Sequence, residues 1–286
     1  MADFLLSAFA DEAAERLERQ IEALKRNNIK RIEIRNVNGK CIIDCSKVEL
    51  VAIKKQLDEN GIMVSSIGSP IGKYNIEEPF DIHLERFQRA IETAKILKTK
   101  RIRMFSFFIP KGAEAEQYRE EVLSRLEVFT TLAKQNGVVC CHENEKEIYG
   151  DVKKRVLELH ENNSDLKGIF DPANYIQCKE DPKSIFADLK PYIDYIHIKD
   201  AIMEDGIVVP AGKGDGAIAT ILDSFYEQGK EKLLTVEPHL TVFSGLSNLQ
   251  DEELKHKYTY QSQGEAFDVA VTALKDILDK RGYCYE

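Results

Sequence analysis

Short apolar runs alternate with longer amphipathic segments along the whole chain. The longer segments place apolar residues three and four positions apart, as in Leu17, Ile21 and Leu24, which is the spacing of one face of a helix. The short runs have the length of buried strands. Eight strands are predicted in this way: Phe4–Ala8, Arg31–Ile34, Met63–Gly68, Arg101–Phe108, Val138–Glu143, Gly168–Asp171, Tyr195–Lys199 and Leu233–Glu237. Strands that alternate with helices predict a parallel sheet built from repeated βα units.

Residues that begin and end helices fall at the borders of these segments. Ser46 and Glu49 have the spacing of a capping box at the start of the second helix. Asp181-Pro182 places a capping residue before a first-turn proline. Glycines that can adopt the left-handed conformation end several helical segments, at Asn60-Gly61, Asn136-Gly137 and Gln228-Gly229.

The number and size of the units favour a closed barrel. Eight units in 286 residues give roughly 36 residues each, which is typical of a (β/α)₈ barrel. We therefore predict a single TIM barrel domain over residues 1–286. A doubly wound open sheet would need a glycine fingerprint after its first strand, where residues 9–12 read FADE. The later cluster Gly212–Gly216 lacks a Ser or Thr after Lys213, so we interpret it as a turn before the seventh helix and not as a phosphate-binding loop.

Composition and charge argue against several classes of protein. The formal net charge of −9 disfavours binding to nucleic acid through a broad basic surface. No apolar run approaches the roughly 20 residues needed to cross a bilayer, and the apolar run near the N-terminus lacks the basic segment of a signal peptide. The six cysteines include no C-x-x-C pair. We expect a cytoplasmic protein with reduced thiols that binds neither nucleic acid nor a membrane; a homo-oligomer is compatible with the sequence.

The candidates for chemistry are polar residues at the carboxyl ends of the strands, where active sites of such barrels lie. The last four predicted strands lead to Glu143, Asp171, His197 and Glu237, each after an apolar run. Three carboxylates and an imidazole that converge in a partly dry pocket need a cation to offset their charge. This mixed oxygen and nitrogen set predicts one divalent metal ion, either Mn²⁺, Mg²⁺, Co²⁺ or Zn²⁺.

Alternation along a strand sorts the polar neighbours of these four residues, since residues two positions apart point the same way. Three neighbours share a direction with a candidate ligand and are interpreted either as substrate contacts or as structural residues: Glu145, Lys199 and His239. His142 points the other way and is predicted to be structural, and Asp200 is predicted to cap the turn after its strand. Three histidines in helical segments are predicted to lie at the surface: His83, His160 and His256.

Five segments together resemble the xylose isomerase-like barrel superfamily, and within it the sugar phosphate isomerase and epimerase branch. They are HENEKEIYGD (142–151), FDPANYIQ (170–177), YIHIKDA (195–201), VPAGKGDG (209–216) and TVEPHL (235–240). Each segment alone is a weak signal, but the set in this order and spacing is specific. The resemblance runs through the whole chain and implies the same barrel fold.

The resemblance also implies a function for the candidate residues. In related ketose epimerases, the positions that match Glu143, Asp171, His197 and Glu237 bind one metal ion, and the two glutamates also serve as acid and base. The implied substrate is a ketose, a ketose phosphate or a related polyol whose oxygens chelate the ion. A proton would leave the carbon next to the carbonyl, through an enediolate.

The chain departs from some ketose epimerases at two positions. Asn174 stands where they have a histidine, and Met203 where they have an arginine. Substrate recognition would therefore differ from that of these relatives, and Lys199 could hold or polarise charge in compensation. The residues predicted to contact substrate are Asn174, Lys199, Glu145 and His239.

Three other functions stay open from the sequence. A dehydratase acting on an inosose-like polyol needs the same metal and the same first proton abstraction. An apurinic-site endonuclease-like hydrolase needs three zinc ions and a histidine-rich site, whereas this chain has Phe105, Phe107 and Phe108 around the end of the fourth strand. A non-catalytic sugar binder would keep the fold without turnover. The expected partner is a small-molecule sugar or polyol.

Overall fold

Eight parallel strands close into a barrel in the computed structural model, which describes residues 2–242, 258 and 260–286. The strands are β1 (Phe4–Ala8), β2 (Arg31–Ile34), β3 (Met63–Ile67), β4 (Arg101–Met104), β5 (Val139–Glu143), β6 (Lys167–Phe170), β7 (Ile193–Ile198) and β8 (Lys232–Val236). Each strand pairs with its neighbours in chain order, and β8 pairs with β1, with Phe4 opposite Lys232 and Ala8 opposite Val236. The predicted (β/α)₈ barrel is confirmed.

Helices lie between the strands in sequence. They are α1 (Leu17–Arg26), α2 (Lys47–Glu59), α3 (Phe80–Leu97), α4 (Arg119–Gln135), α5 (Lys153–Asn162), α6 (Pro172–Gln177), α7 (Pro182–Leu189), α8 (Ile218–Phe225) and α9 (Gln263–Arg281). The capping box of Ser46 and Glu49 begins α2, and the Asp181 side chain caps α7, as predicted. Within the described ranges, no helix combines the length and the apolar character that crossing a membrane requires.

The fourth strand is shorter than predicted. The sequence pattern extends it to Phe108, but β4 ends at Met104. Beyond that point, backbone N–H groups bond to carbonyls of the loop after β3 at 2.8 Å: Phe105 to Ile71, Phe107 to Gly72 and Phe108 to Tyr74. Phe107 also has a φ of +70°, outside the strand region. The prediction was too long because the apolar run continues into a buried loop, which hydropathy cannot separate from a strand.

The two faces of each strand enter different cores. A small cluster joins one residue from each of the last four strands: Cys141, Ile169, Tyr195 and Leu233. Their chain neighbours on all four strands belong to the larger core that includes the helices: Cys140, Phe170, Ile196 and Leu234. The small cluster therefore fills the inside of the barrel. Because side chains alternate, the positions two or four residues further along each strand also point inward, at the carboxyl-terminal mouth.

The structure describes two of the three histidines that were predicted to lie at the surface, and for both the prediction is wrong. His83 is 1% exposed and stacks on Tyr74 with ring centroids 3.7 Å apart. His160 is 2% exposed and stacks on Tyr192 at 5.0 Å, and burial lowers its pKa to about 4. Both lie on the inner side of their helices, which a single histidine in a helical pattern does not reveal. His256 lies outside the described residues.

Candidate metal centre

Four side chains meet at the inner mouth of the barrel, at the ends of β5 to β8. They are Glu143, Asp171, His197 and Glu237, each no more than 2% exposed. One ligand atom from each lies within 4.8 Å of those of the other three. Glu143 ends β5 and His197 lies within β7, while Asp171 and Glu237 directly follow β6 and β8. The structure thus brings together all four residues that the sequence identified as candidate ligands.

The His197 ring is held so that one nitrogen faces the carboxylates. Nδ1 lies 3.1 Å from Glu143 Oε1 and 3.6 Å from Glu237 Oε2. Nε2 lies 3.2 Å from Glu33 Oε2, and the other Glu33 oxygen accepts a hydrogen bond from the Tyr195 hydroxyl at 2.8 Å. An outer carboxylate of this kind fixes the orientation of a ligating imidazole and directs its second nitrogen towards a metal.

Asp171 directs one of its two oxygens towards the centre. Its Oδ1 accepts the Asn174 N–H at 3.0 Å, because Asp171 is the N-cap of α6. Its Oδ2 is buried, lies 2.7 Å from Lys199 Nζ and makes no hydrogen bond of regular geometry to a described residue. The cavity beside these groups has a volume of about 20 Å³, close to that of one water-sized occupant. Three carboxylates, an imidazole nitrogen and this space fit one divalent ion.

Three buried cations contact the acids of the centre. Lys199 Nζ also lies 3.0 Å from Glu237 Oε2. Arg103 Nη1 lies 3.1 Å from Glu143 Oε2, and Arg35 Nη1 lies 3.2 Å from Glu237 Oε1. Each of the three cations is at most 5% exposed. Buried charges of one sign are stable only when opposite charges lie close by, so this set replaces the solvation that burial removes.

These contacts set the ionisation of the candidate ligands. Burial by itself would raise the pKa of Glu143, but the charges of His197 and Arg103 outweigh it and lower that pKa to about 2. Lys199 and His197 likewise hold the pKa of Glu237 below its ordinary range against the effect of burial. For Asp171 burial dominates and raises the pKa to about 7. Both glutamates are therefore carboxylates at neutral pH, whereas Asp171 is divided between its two forms.

The four predicted substrate contacts all lie at the mouth, next to the candidate ligands. Asn174 Nδ2 donates to the Asn144 carbonyl at 2.8 Å and lies 3.4 Å from Glu143 Oε1. Lys199, Glu145 and His239 line the same cleft. His239 adopts a φ of +44°, a strained conformation for a non-glycine residue, and its ring lies 3.9 Å from Glu237.

His142 has the structural position predicted for it. Its Nε2 lies 3.0 Å from Ser106 Oγ, on the face of β5 opposite to Glu143. The ring is 1% exposed, and burial lowers its pKa to about 3, so it is neutral at physiological pH. It takes no part in the centre.

Sequence reasoning missed the residues that the first half of the barrel contributes. Asp11 and Glu12 follow β1, and both contact Arg35, which follows β2. Burial raises the pKa of Glu12 to about 8. The same rule of polar residues after strands would have found Asp11 and Glu12, had it been applied to β1. Arg103 lies inside β4, which reads RIRM, so its only signal is a charged residue between two apolar residues of a strand.

The chain is similar to known proteins in sequence and in fold. A family model described as xylose isomerase-like TIM barrel matches residues 21–256. An L-ribulose 3-epimerase structure shares 17% identity at a TM-score of 0.72 and covers 99% of this chain and 97% of its own. The structure of the probable 3-DHS dehydratase AsbF of Bacillus anthracis shares 15% sequence identity at a TM-score of 0.71 and covers 94% of this chain and 98% of its own. The IOLI protein, solved with a zinc atom, shares 17% sequence identity at a TM-score of 0.73 and covers 98% of this chain and 99% of its own. No curated protein matches the chain by sequence.

Proposed function

Because the chain belongs to the xylose isomerase-like TIM barrel family, we propose that it is a divalent-metal-dependent sugar isomerase or epimerase. The substrate would be a ketose, free or phosphorylated, and the reaction would move a proton on the carbon next to the carbonyl. The observation that carries this proposal is the buried set of Glu143, Asp171, His197 and Glu237. We expect a cytoplasmic enzyme that acts on a small molecule.

All four residues of this set would hold the ion. A bound divalent ion would polarise the substrate carbonyl and stabilise the negative charge of an enediolate. Asp171 and His197 would act only as ligands, since Asn174 holds one Asp171 oxygen and Glu33 holds the outer nitrogen of the imidazole.

The two glutamates would also handle the proton. Glu143 and Glu237 lie on strands that are three positions apart around the ring, so they reach a substrate in the mouth from different sides. Both have a lowered pKa, which keeps them ionised but makes them weak bases. Because both side chains are already buried, their basicity would rise only if bound substrate draws away the positive groups that lower these pKa values.

The test is solvent proton exchange with each glutamate changed separately. In an epimerase, Glu143→Gln and Glu237→Gln should both abolish turnover on a ketose that the native enzyme accepts. Each variant should still exchange deuterium from solvent into one epimer, because the remaining glutamate works on its own face. NMR of the sugar C–H signals in D₂O measures this directly.

Glu147→Gln is the matched control, since Glu147 lies in the loop that follows Glu143 and is exposed. Its turnover should equal that of the native enzyme. If only one glutamate variant loses exchange, the enzyme is an aldose–ketose isomerase that uses a single base. Near-native turnover by both variants would show that neither glutamate is the base.

Lys199 supports a second candidate, a dehydratase on the same centre. Its ammonium lies within 3.0 Å of both Asp171 and Glu237 and could give a proton to a leaving hydroxyl group. Loss of water would produce a conjugated carbonyl compound with a new ultraviolet absorbance. Accumulation of such a product, with no second sugar formed, would favour the dehydratase over the epimerase.

A further inference from the structure

A second cavity lies beside the candidate metal centre. Its volume is about 300 Å³, which is at the lower end of small-molecule sites, whereas the cleft at the centre holds about 20 Å³. Arg103 and Lys73 line both spaces. The two spaces are therefore neighbours, and the side chains of Arg103 and Lys73 form part of the wall of each.

The cavity is lined mainly by cations, although the whole chain has a formal net charge of −9. Four basic side chains and one acidic side chain line it: Arg35, Lys73, Arg86, Arg103 and Asp44. The acids that pair with three of these cations do not line it. They are Asp11, Glu12, Glu143, Glu145 and Glu237. A ligand in the cavity would thus face the basic groups while their acids lie on the other side.

Aromatic rings fix three of these cations. The guanidinium carbons of Arg35 and Arg103 lie 4.4 Å and 4.9 Å from the centre of the Phe9 ring. Lys73 Nζ lies 4.5 Å from the centre of the Phe105 ring. Such contacts hold a cation in one orientation, so less conformational entropy is lost when a ligand binds.

One buried polar atom at the cavity, Arg103 Nε, has no hydrogen-bond partner among the described residues. The Tyr74 hydroxyl makes no hydrogen bond of regular geometry there, but Arg86 lies close enough to lower its pKa against the effect of burial. Arg103 is 2% exposed, so its Nε–H cannot turn to bulk water. Buried donors without an acceptor are rare in native proteins and are typically satisfied by a ligand or an ordered water.

Arg86 can exchange its present partner for a ligand. Its Nη2 lies 3.1 Å from Asp44 Oδ2, and a second arginine on the same helix, Arg89, lies 4.0 Å from Asp44 Oδ1. Arg89 does not line the cavity. If Arg86 turns to a ligand, Asp44 keeps a counter-charge from Arg89.

We propose that this cavity, called the anion pocket, binds a phosphate ester or a carboxylate of the substrate while the carbonyl end reaches the metal centre. This inference rests on the proposed function for the identity of the substrate, but the pocket itself can be tested without turnover. A guanidinium group can donate two parallel hydrogen bonds to two oxygens of a planar carboxylate or of a tetrahedral phosphate. The substrate class would be sugar phosphates or sugar acids, and neutral ketoses would bind weakly.

The test is an anion titration of the metal-free full chain, so that no anion can bind a metal ion. Inorganic phosphate and acetate are titrated separately and binding is followed by NMR shifts and calorimetry. Arg86→Met should weaken binding of the preferred anion about tenfold, because it removes a charged donor. Tyr74→Phe should weaken it about threefold, because it removes one neutral donor. Asp44→Asn should strengthen binding, because it removes a competing carboxylate.

Arg89→Met is the matched control, since it removes the same charge from the same helix outside the pocket. It should stay within about twofold of the native affinity. The anion that binds identifies the substrate class: binding of phosphate alone indicates sugar phosphates, and binding of acetate alone indicates sugar acids. No binding of either anion, or equal weakening by Arg86→Met and Arg89→Met, would overturn the anion pocket. It would leave the metal centre untouched, and loss of metal binding would conversely leave the anion pocket standing.

Discussion

Three of the four candidate ligands are held at one atom by a neighbouring side chain or backbone group. Asn174 takes one oxygen of Asp171, Glu33 takes one nitrogen of His197, and Arg103 takes one oxygen of Glu143. The remaining atoms point at one another across less than 5 Å. Such outer contacts fix the geometry of ligands before an ion arrives, which lowers the entropy lost on binding.

Metal affinity should rise with pH. Without metal, burial raises the pKa of Asp171 to about 7, and the charges of Glu143 and Glu33 raise the pKa of His197 above its ordinary value against the effect of burial. Both groups must lose a proton before they can bind an ion. Mn²⁺ affinity should therefore increase from pH 6 to 8, with protons released into the buffer. Calorimetry in buffers of different ionisation enthalpy measures both quantities.

The metal content of variants tests which residues are ligands. Asp171→Ala should lose bound metal, with native protein retaining about one ion per chain after dialysis against Mn²⁺. Asp181→Ala is a close control, because Asp181 also caps a helix that begins with proline, but away from the centre. An affinity that does not change with pH, or equal metal content in both variants, would contradict the assignment.

At the scale of elements, the glycine cluster folds around a buried carboxylate. Asp200 accepts the backbone N–H groups of Gly212, Gly214 and Gly216 at 2.8 to 3.1 Å, and that of Ala201 at 2.9 Å. A Cβ at Gly216 would lie 2.6 Å from Asp200 Oδ1, so a larger residue does not fit there. The predicted turn at the glycine cluster is confirmed, and it leads into α8. Asp200 was predicted to cap the turn after its own strand, but apart from the Ala201 N–H it holds this later loop, 12 to 16 positions along the chain.

Asp200→Ala should lower the free energy of unfolding by about 3 kcal/mol, because several buried N–H groups lose their acceptor. The free energy of unfolding of Asp200→Asn should lie between those of the native protein and of Asp200→Ala, since asparagine keeps one carbonyl oxygen. Asp205→Ala should cost less than about 1 kcal/mol, because Asp205 accepts a single exposed N–H, that of Ile207. Urea unfolding measures all three. Equal stability of Asp200→Ala and Asp205→Ala would show that the carboxylate does not hold the loop.

For the whole molecule, the net charge and the side chains available to bind metal both argue against an endonuclease that acts on nucleic acid. The formal net charge is −9, and among the described residues only His197 and His239 bring imidazoles to the candidate metal clusters. A three-zinc site of the endonuclease kind needs more histidines than these. Duplex DNA with an abasic site should therefore remain uncut when incubated with the protein and Mn²⁺ or Zn²⁺. Metal-dependent incision at nanomolar protein, absent in Asp171→Ala, would reverse this conclusion.

The sequence by itself determined the barrel and one half of its mouth. Short apolar runs located all eight strands, because burial on both faces of a parallel strand requires continuous apolar runs of limited length. Parallel strands of a barrel end at the same mouth, so polar residues after four consecutive strands had to meet there. Glu143, Asp171, His197 and Glu237 could be identified without coordinates for that reason.

Only the tertiary structure decided how the charges are balanced. Arg35 pairs with Glu237, 202 positions further along the chain, and this contact exists only because β1 closes the ring between β2 and β8. The burial of His83 and His160 likewise depends on which side of a helix faces the barrel. Local patterns specify how much apolar surface a segment can bury, but ion pairs between distant strands and the cavities they line follow from the closure of the sheet.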